Sequence, residues 1–322
     1  MKQLKDFGFL RGVMSNNTAH GPVSPQTMVS SDLESQSEKD RSRRRKLISK
    51  LSLNISITAF FGILIGLLEY DIIPSHRSGF YCKDPKLSFI YAGDTVNEYL
   101  IISLVIFLPI IVICVTEYLL NKASGKERVL KSAKESMLIL RGCALGLIFN
   151  FIPVEMIKFT KGDPRPTFFD ICNPDTARNC TEGEYINTFK CTPTDRFSTW
   201  FQLDTSHSFP SGHTSLSVYT ALFMAWYLHR RAFNWSSHYF VLVPITQLLC
   251  VLYACVCSIS RIFDHRHHWW DVAAGTVIGV ITAVYAVLVL CKNFKDVIPP
   301  KKGTSSENHI KEGDERLEQI AL

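Results

Sequence analysis

Apolar and polar positions alternate in long blocks along this chain. Six apolar stretches each approach the ~20 residues that a helix needs to cross a bilayer. They run roughly over Leu51–Leu68, Tyr99–Leu120, Met137–Ile157, Ser211–Leu228, Phe240–Ile259 and Val272–Leu290. Long core helices of a soluble protein would interrupt such runs with charges, yet Leu100 to Val115 contains none. The pattern predicts an all-α integral membrane protein with six transmembrane helices. Residues 1–46 are rich in Ser, Lys, Arg and Asp without periodicity, and are expected to be a disordered cytosolic tail. The six-span unit is placed at 47–292 and a second polar, cytosolic tail at 293–322. Within the third span, Arg141, Asn150 and Glu155 are expected to face the bundle interior. Glu155 and Lys158, three apart, are expected to pair on one helical face. Asn121 to Ser136 reads as a cytosolic loop with a short basic helix.

Charge orients these spans. Arg41, Arg43, Arg44, Arg45, Lys46 and Lys50 precede the first. Lys122, Lys126, Arg128, Lys131 and Lys134 fill the second connection, and Arg230 and Arg231 stand in the fourth. Both termini and these two connections are therefore assigned to the cytosol. The net charge of +6 follows from this asymmetry and calls for no nucleic-acid partner. No cleavable signal peptide is legible in the first 46 residues, so the first span is expected to act as an uncleaved anchor.

Connection 158–209 then lies outside, long enough to cover a site. Of ten cysteines, Cys82, Cys172, Cys180 and Cys191 fall in outer connections where oxidation is permitted, giving one or two disulfides of open pairing. The sequon Asn179-Cys180-Thr181 makes Asn179 a glycan acceptor if that loop is lumenal. The sequon at Asn234 falls on the cytosolic side.

Three polar segments interrupt the outward ends of the spans. Lys158 to Pro166 reads K-F-T-K-G-D-P-R-P, Phe209 to Ser215 reads F-P-S-G-H-T-S, and Ser260 to Asp271 reads S-R-I-F-D-H-R-H-H-W-W-D. All three emerge on one side of the membrane, as a single site requires. Ser211, Gly212 and His213 are expected in the first turn of a helix, where free backbone N–H groups and the helix dipole favour an anion. A phosphate monoester carries nearly two negative charges, and Lys158, Arg165 and Arg261 supply cations for it, the arginines as forks suited to two oxygens. His267 and Asp271, four apart, share a face if the sixth span is already helical there. Asp271 would then accept a hydrogen bond from one imidazole nitrogen and leave the other nucleophilic. By the same helical reasoning His268 should face away from that pair. His265, His267, His268 and Asp271 also read as a metal set, which neighbouring Arg261, Arg266 and Arg165 disfavour; no metal or other cofactor is expected.

Together the three segments match the signature of the type 2 phosphatidate phosphatase, or lipid phosphate phosphatase, superfamily. The matching positions are Lys158, Arg165-Pro166, Pro210 to His213, Ser260-Arg261, His267 and Asp271. Flanking residues resemble the animal lipid phosphate phosphatases, the insect Wunen-like branch among them. The resemblance implies a phosphatase acting through a phosphohistidine on His267, oriented by Asp271, with His213 as general acid and then base. Ser211, Gly212, Lys158, Arg165 and Arg261 would bind the phosphate. Implied substrates are phosphatidic acid, lysophosphatidic acid, ceramide-1-phosphate and sphingosine-1-phosphate, at a plasma-membrane or endomembrane site facing the exterior or lumen. Rival readings are a soluble-phosphate or polyprenyl diphosphate phosphatase, a lipid transporter, and a catalytically silent relative in lipid binding or protein interaction. A silent relative would lack a member of the set, and none is missing. Homo-oligomerisation stays open.

Overall fold

The computed structural model describes residues 75–233 and 241–295, with scattered positions between 41 and 67. The chain divides into two compact units, Met1–Phe60 and Phe61–Leu322, and everything below belongs to the second. The expected first span and both tails fall largely outside the described residues.

Seven helices organise the described part: α1 (Glu98–Leu120), α2 (Gly125–Lys161), the short α3 (Phe168–Cys172) and α4 (Thr199–Asp204), α5 (Gly212–Arg231), α6 (Leu242–Phe263) and α7 (Trp269–Tyr285). A π-helical turn, Ala286–Leu290, continues α7. Among the described residues, four helices are long and apolar enough to cross a membrane: α1, α2, α6 and Trp269–Leu290. The protein is thus a mostly helical, multi-pass membrane protein.

The α5 helix, expected as the fourth span, is the centre of the bundle and packs against α1, α2, α6 and α7. Thr214, Ser215, Ser217, Tyr219, Thr220, Phe223, Met224 and Tyr227 are all fully buried along it. A helix walled by other helices presents little surface to lipid, so its composition need not be apolar. Helix α1 has the opposite character, with Ile102, Ile106, Phe107 and Ile111 exposed along its length. Its lipid-facing surface is what made it legible.

Helix α2 corrects one boundary. The stretch expected as a loop with a short basic helix, Asn121–Ser136, is helical from Gly125, and that helix is continuous with the third span. Residues 126–136 hold Lys, Glu, Arg, Leu and Ala with no Pro or Gly, so nothing stops the helix. At 1.5 Å per residue this helix is ~55 Å long, well beyond a ~30 Å hydrocarbon layer, so its basic first turns project past it. It ends at Gly162, whose φ of 63° is a left-handed cap with the N–H donating to Lys158 O at 2.9 Å.

Polar ties lock the bundle. Asn150 of α2 accepts from Ser215 Oγ at 3.0 Å and donates to Thr282 Oγ1 at 2.7 Å, joining α2, α5 and α7. Glu117 of α1 is fully buried, accepts from Tyr227 Oη at 2.9 Å and pairs with Arg231 at 2.6 Å. Arg231 also reaches Glu135 at 3.0 Å, so α1, α2 and α5 meet in one charged cluster. Glycines bring α7 onto α5: a Cβ on Gly275 would lie 2.5 Å from Ser211 O, and one on Gly279 2.7 Å from Ser215 O.

The connections on either side of α1 and α2, at 75–97 and 162–211, fold together on an aromatic cluster of Phe80, Phe168, Phe169 and Phe189, with ring centroids 5.2–5.6 Å apart. Strands β1 (Phe80–Tyr81) and β2 (Tyr185–Ile186) pair antiparallel beside it, Phe80 opposite Ile186. Disulfides Cys82–Cys180 and Cys172–Cys191 close the same region.

Candidate active site

Lys158 and Arg165, Gly212 and His213, and Arg261 and His267 come from three separate segments and line one cavity of about 260 Å³. Local structure explains the convergence. Past α2 the chain is sewn to the stretch before α5: Arg165 N donates to Thr205 O at 2.8 Å and Ser208 N to Asp163 O at 3.0 Å. Ser211 N donates to Asp271 O at 3.0 Å, fixing the start of α5 against the start of α7. Beyond α6, the N–H groups of Arg266 and His267 both reach Arg261 O, at 3.0 and 3.1 Å.

His267 is 3% exposed. Its Nδ1 lies 2.7 Å from the carbonyl oxygen of Ser208. A carbonyl only accepts, so Nδ1 carries the proton and Nε2 keeps its lone pair. That Nε2 lies 3.2 Å from Arg165 Nη1, facing the cavity cations. Burial first, then the Arg165 charge, push the imidazole down to about 3, so the ring is neutral at physiological pH.

The Asp271 contact differs from expectation. Its Oδ2 is 3.7 Å from His267 Nδ1, beyond hydrogen-bond reach, because Ser208 O occupies that nitrogen. Asp271 Oδ2 instead accepts from Ser208 Oγ at 2.6 Å and from His268 N at 2.9 Å. Helix α7 begins only at Trp269, with His268 as its N-cap and Asp271 closing a capping box. The same geometry corrects His268, which does not face away: its Nδ1 is 3.4 Å from Asp271 Oδ2. An N-cap residue lies outside the helical rotation that the sequence reading applied to it.

The cations are held by carboxylates. Arg165 donates to Asp204 O at 2.8 Å and Asp204 Oδ1 at 2.7 Å, and to Arg266 O at 3.0 Å. Arg266 bonds the other Asp204 oxygen at 2.9 Å. Arg261, 1% exposed, pairs with Asp264 at 2.9 Å and Asp94 at 3.3 Å. Burial opposes ionisation of Asp204, but Arg165 and Arg266 outweigh it and hold the carboxyl well below the usual range. Lys158 pairs with Glu155 at 2.8 Å, as the spacing implied, and its Nζ would lie only 3.4 Å from a Cβ on Gly212.

Ser211 departs from its expected place. It is the N-cap, not part of the first turn; its Oγ meets Thr214 N at 3.5 Å and Thr214 Oγ1 at 3.1 Å, and the residue is fully buried away from the cavity lining. Gly212 and His213 do line the cavity. His213 Nε2 is buried with no hydrogen-bond partner among the described residues.

Asp94, Asp204 and Ser208 were not singled out from sequence. The signal was indirect: buried cations need counter-charges, which acidic residues of the connections supply. His265 stacks on Phe89 at 4.0 Å and Asp264 also accepts from Thr95 N at 2.8 Å, both structural contacts. Among the described residues no three His, Cys, Asp or Glu side chains gather as a metal-binding set.

Residues 139–295 match the PAP2 superfamily. Rat phospholipid phosphatase 1 is 30% identical over 72% of this chain and 83% of its own length. Mouse phospholipid phosphatase 1 is 29% identical over 80% of this chain and 90% of its own. Mouse phospholipid phosphatase 2 is 28% identical, covering 74% and 86%. No solved structure matches the chain.

Proposed function

The chain belongs to the PAP2 superfamily, and from that premise we propose that it is a phosphatidate phosphatase, hydrolysing lipid phosphomonoesters through a covalent phosphate on His267. The observation that carries this reading is a neutral, buried imidazole whose proton sits on Nδ1 and whose Nε2 faces Arg165 in a cation-lined cavity.

In this mechanism Arg165, Arg261, Lys158 and the first N–H groups of α5 bind the phosphate oxygens and stabilise the charge of the five-coordinate centre. His267 Nε2 attacks phosphorus and forms the N–P bond as the ester P–O bond breaks. With the phosphate's negative charge seated beside it, His213 takes the protonated form and gives its proton to the departing alcohol oxygen. Water then attacks phosphorus, passing its proton to His213; the N–P bond breaks and its electron pair returns to His267. Asp271 acts mainly through Ser208, holding the residue whose carbonyl fixes the imidazole. Ser211 contributes as the cap that sets the α5 N-terminus rather than as a direct phosphate ligand. The donor set is cationic, so no metal is required.

Phosphatidic acid, lysophosphatidic acid, ceramide-1-phosphate and sphingosine-1-phosphate are the substrate class. Tyr99, Phe263 and Trp269, 75%, 76% and 66% exposed, stand at the helix ends around the site and suit the headgroup level of a bilayer. With six spans and both termini cytosolic, the cavity opens to the exterior or lumen.

The test is phosphate release from phosphatidate by the full chain in detergent micelles. The wild type should release phosphate in the presence of EDTA, and His267→Ala should not. Activity lost in EDTA and restored by magnesium or zinc, or retained in His267→Ala, overturns the reading.

A further inference from the structure

The phosphatase reading leaves one wall of the cavity without a task. Besides the phosphate-holding segments, the first turn of α1 and helix α4 line the cavity, through Asn97, Glu98, Tyr99, Trp200 and Phe201. A phosphate seated on Lys158, Arg165 and Arg261 shares the cavity with this wall.

Three carboxylates line the cavity, and two are already neutralised. Asp94 pairs with Arg261 and Arg266, each at 3.3 Å, and Asp204 with Arg165 and Arg266 at 2.7 and 2.9 Å. Glu98 has no ion pair or side-chain hydrogen bond among the described residues, yet it faces the same cavity. Its neighbour Asn97 is committed to capping α1, its Oδ1 accepting from Leu100 N at 2.8 Å. A helix N-terminus explains an acidic residue in a first turn, but not why that residue borders a phosphate cavity, where it would repel the substrate's own charge. A cation on the substrate removes the conflict. Tyr99 and Trp200 line the same cavity, and aromatic rings are surroundings that an alkylammonium favours.

We propose that Glu98, with Tyr99 and Trp200, forms a subsite for a substrate ammonium close to the phosphate, so that the enzyme favours phosphate esters of amino alcohols over those of uncharged diols. This rests on the phosphatase reading and adds to it a specificity-determining residue. Glu98 takes no part in bond making; it orients the ester backbone and offsets the cations' attraction for phosphate alone.

The experiment compares sphingosine-1-phosphate with its N-acetylated form, which keeps the chain and phosphate but loses the charge. Both are presented to the full chain in the same micelles, and kcat and KM are measured separately. The wild type should favour the free amine, chiefly through KM, and Glu98→Gln should cut the ratio of the two kcat/KM values by about tenfold. Glu98→Lys should reverse the preference. The wild-type comparison needs no variant and stands even if a substitution unfolds the protein. Equal handling of the two lipids by the wild type, or a ratio unmoved in both variants, overturns the subsite while leaving the phosphatase intact. Release from neither lipid, nor from phosphatidate, overturns the phosphatase reading and the subsite with it.

Discussion

His267 Nδ1 lies 2.7 Å from the carbonyl oxygen of Ser208, and the hydroxyl of that serine donates to Asp271 at 2.6 Å. One residue therefore joins the proposed nucleophile to its carboxylate. Ser208→Ala keeps the carbonyl and removes the charge-assisted hydrogen bond, so the imidazole loses its anchor rather than its acceptor. The expected result is a fall in kcat of roughly tenfold to a hundredfold with KM little changed. Steady-state phosphate release checks it; an unchanged kcat would mean that Asp271 acts on His267 directly.

Helix α7 approaches α5 at Gly275, where a Cβ would lie 2.5 Å from the backbone oxygen of Ser211. Backbone cannot yield as a side-chain tip can. Gly275→Ala should therefore destabilise the bundle by about 1–3 kcal/mol. Activity should fall with it, because Gly212 and His213 follow Ser211 directly. A thermal unfolding midpoint in detergent and an activity both equal to wild type would contradict this packing.

Two histidines, the buried His267 and the half-buried His207, make stability sensitive to acid. His207, packed edge-on against Phe159 at 4.9 Å, is pushed down to about 4, by burial ahead of the Lys158 and Arg165 charges; His267 is pushed down to about 3. In the unfolded chain both titrate near 6.5. Below that pH the unfolded state takes up protons that the folded state refuses, so stability falls as pH falls, until the folded pKa values are reached. Each histidine contributes a loss of roughly 1.4 kcal/mol per pH unit across that window. Unfolding midpoints between pH 7.5 and 4.5 should drop for the wild type and drop less steeply for His207→Gln. A flat profile in the wild type would contradict neutral, buried imidazoles.

The sequence carried the lipid-facing helices and the motif residues well, and the connections between them poorly. Helix α1 was legible because its exposed face is apolar along its length. Helix α5 was legible as an element only; its Ser and Thr content hid that it is the hub, since burial among helices leaves little trace in hydropathy. Lys158 with Glu155 followed from helical spacing. The pairing of Arg165 and Arg266 with Asp204 did not, since it spans 39 and 62 residues and depends on how the outer connection folds back. His268 and Asp271 were misread for a local reason: the face argument needed a helix already formed at His267, but it starts at Trp269, which turns a face into a cap.

Orientation has its own test. Asn179 borders the disulfide region, next to Cys180 and exposed, in the connection that also carries Arg165 and Asp204. Asn179 should carry a glycan in a eukaryotic host, so endoglycosidase should shift the wild type on a gel and leave Asn179→Gln unmoved. A glycan on Asn234 instead would place the cavity in the cytosol.

The covalent step on His267 is most directly read by trapping it. His213→Ala removes the group that protonates the leaving alcohol and later activates water, so an activated aryl phosphate, whose leaving group needs no proton, should still phosphorylate the protein slowly and hydrolyse it more slowly still. Rapid quenching and peptide mapping of that variant should find phosphate on His267, in a bond labile to acid and stable to alkali. Phosphate on Ser211 or any other side chain, or label that persists when His267→Ala is added to the variant, would contradict the mechanism.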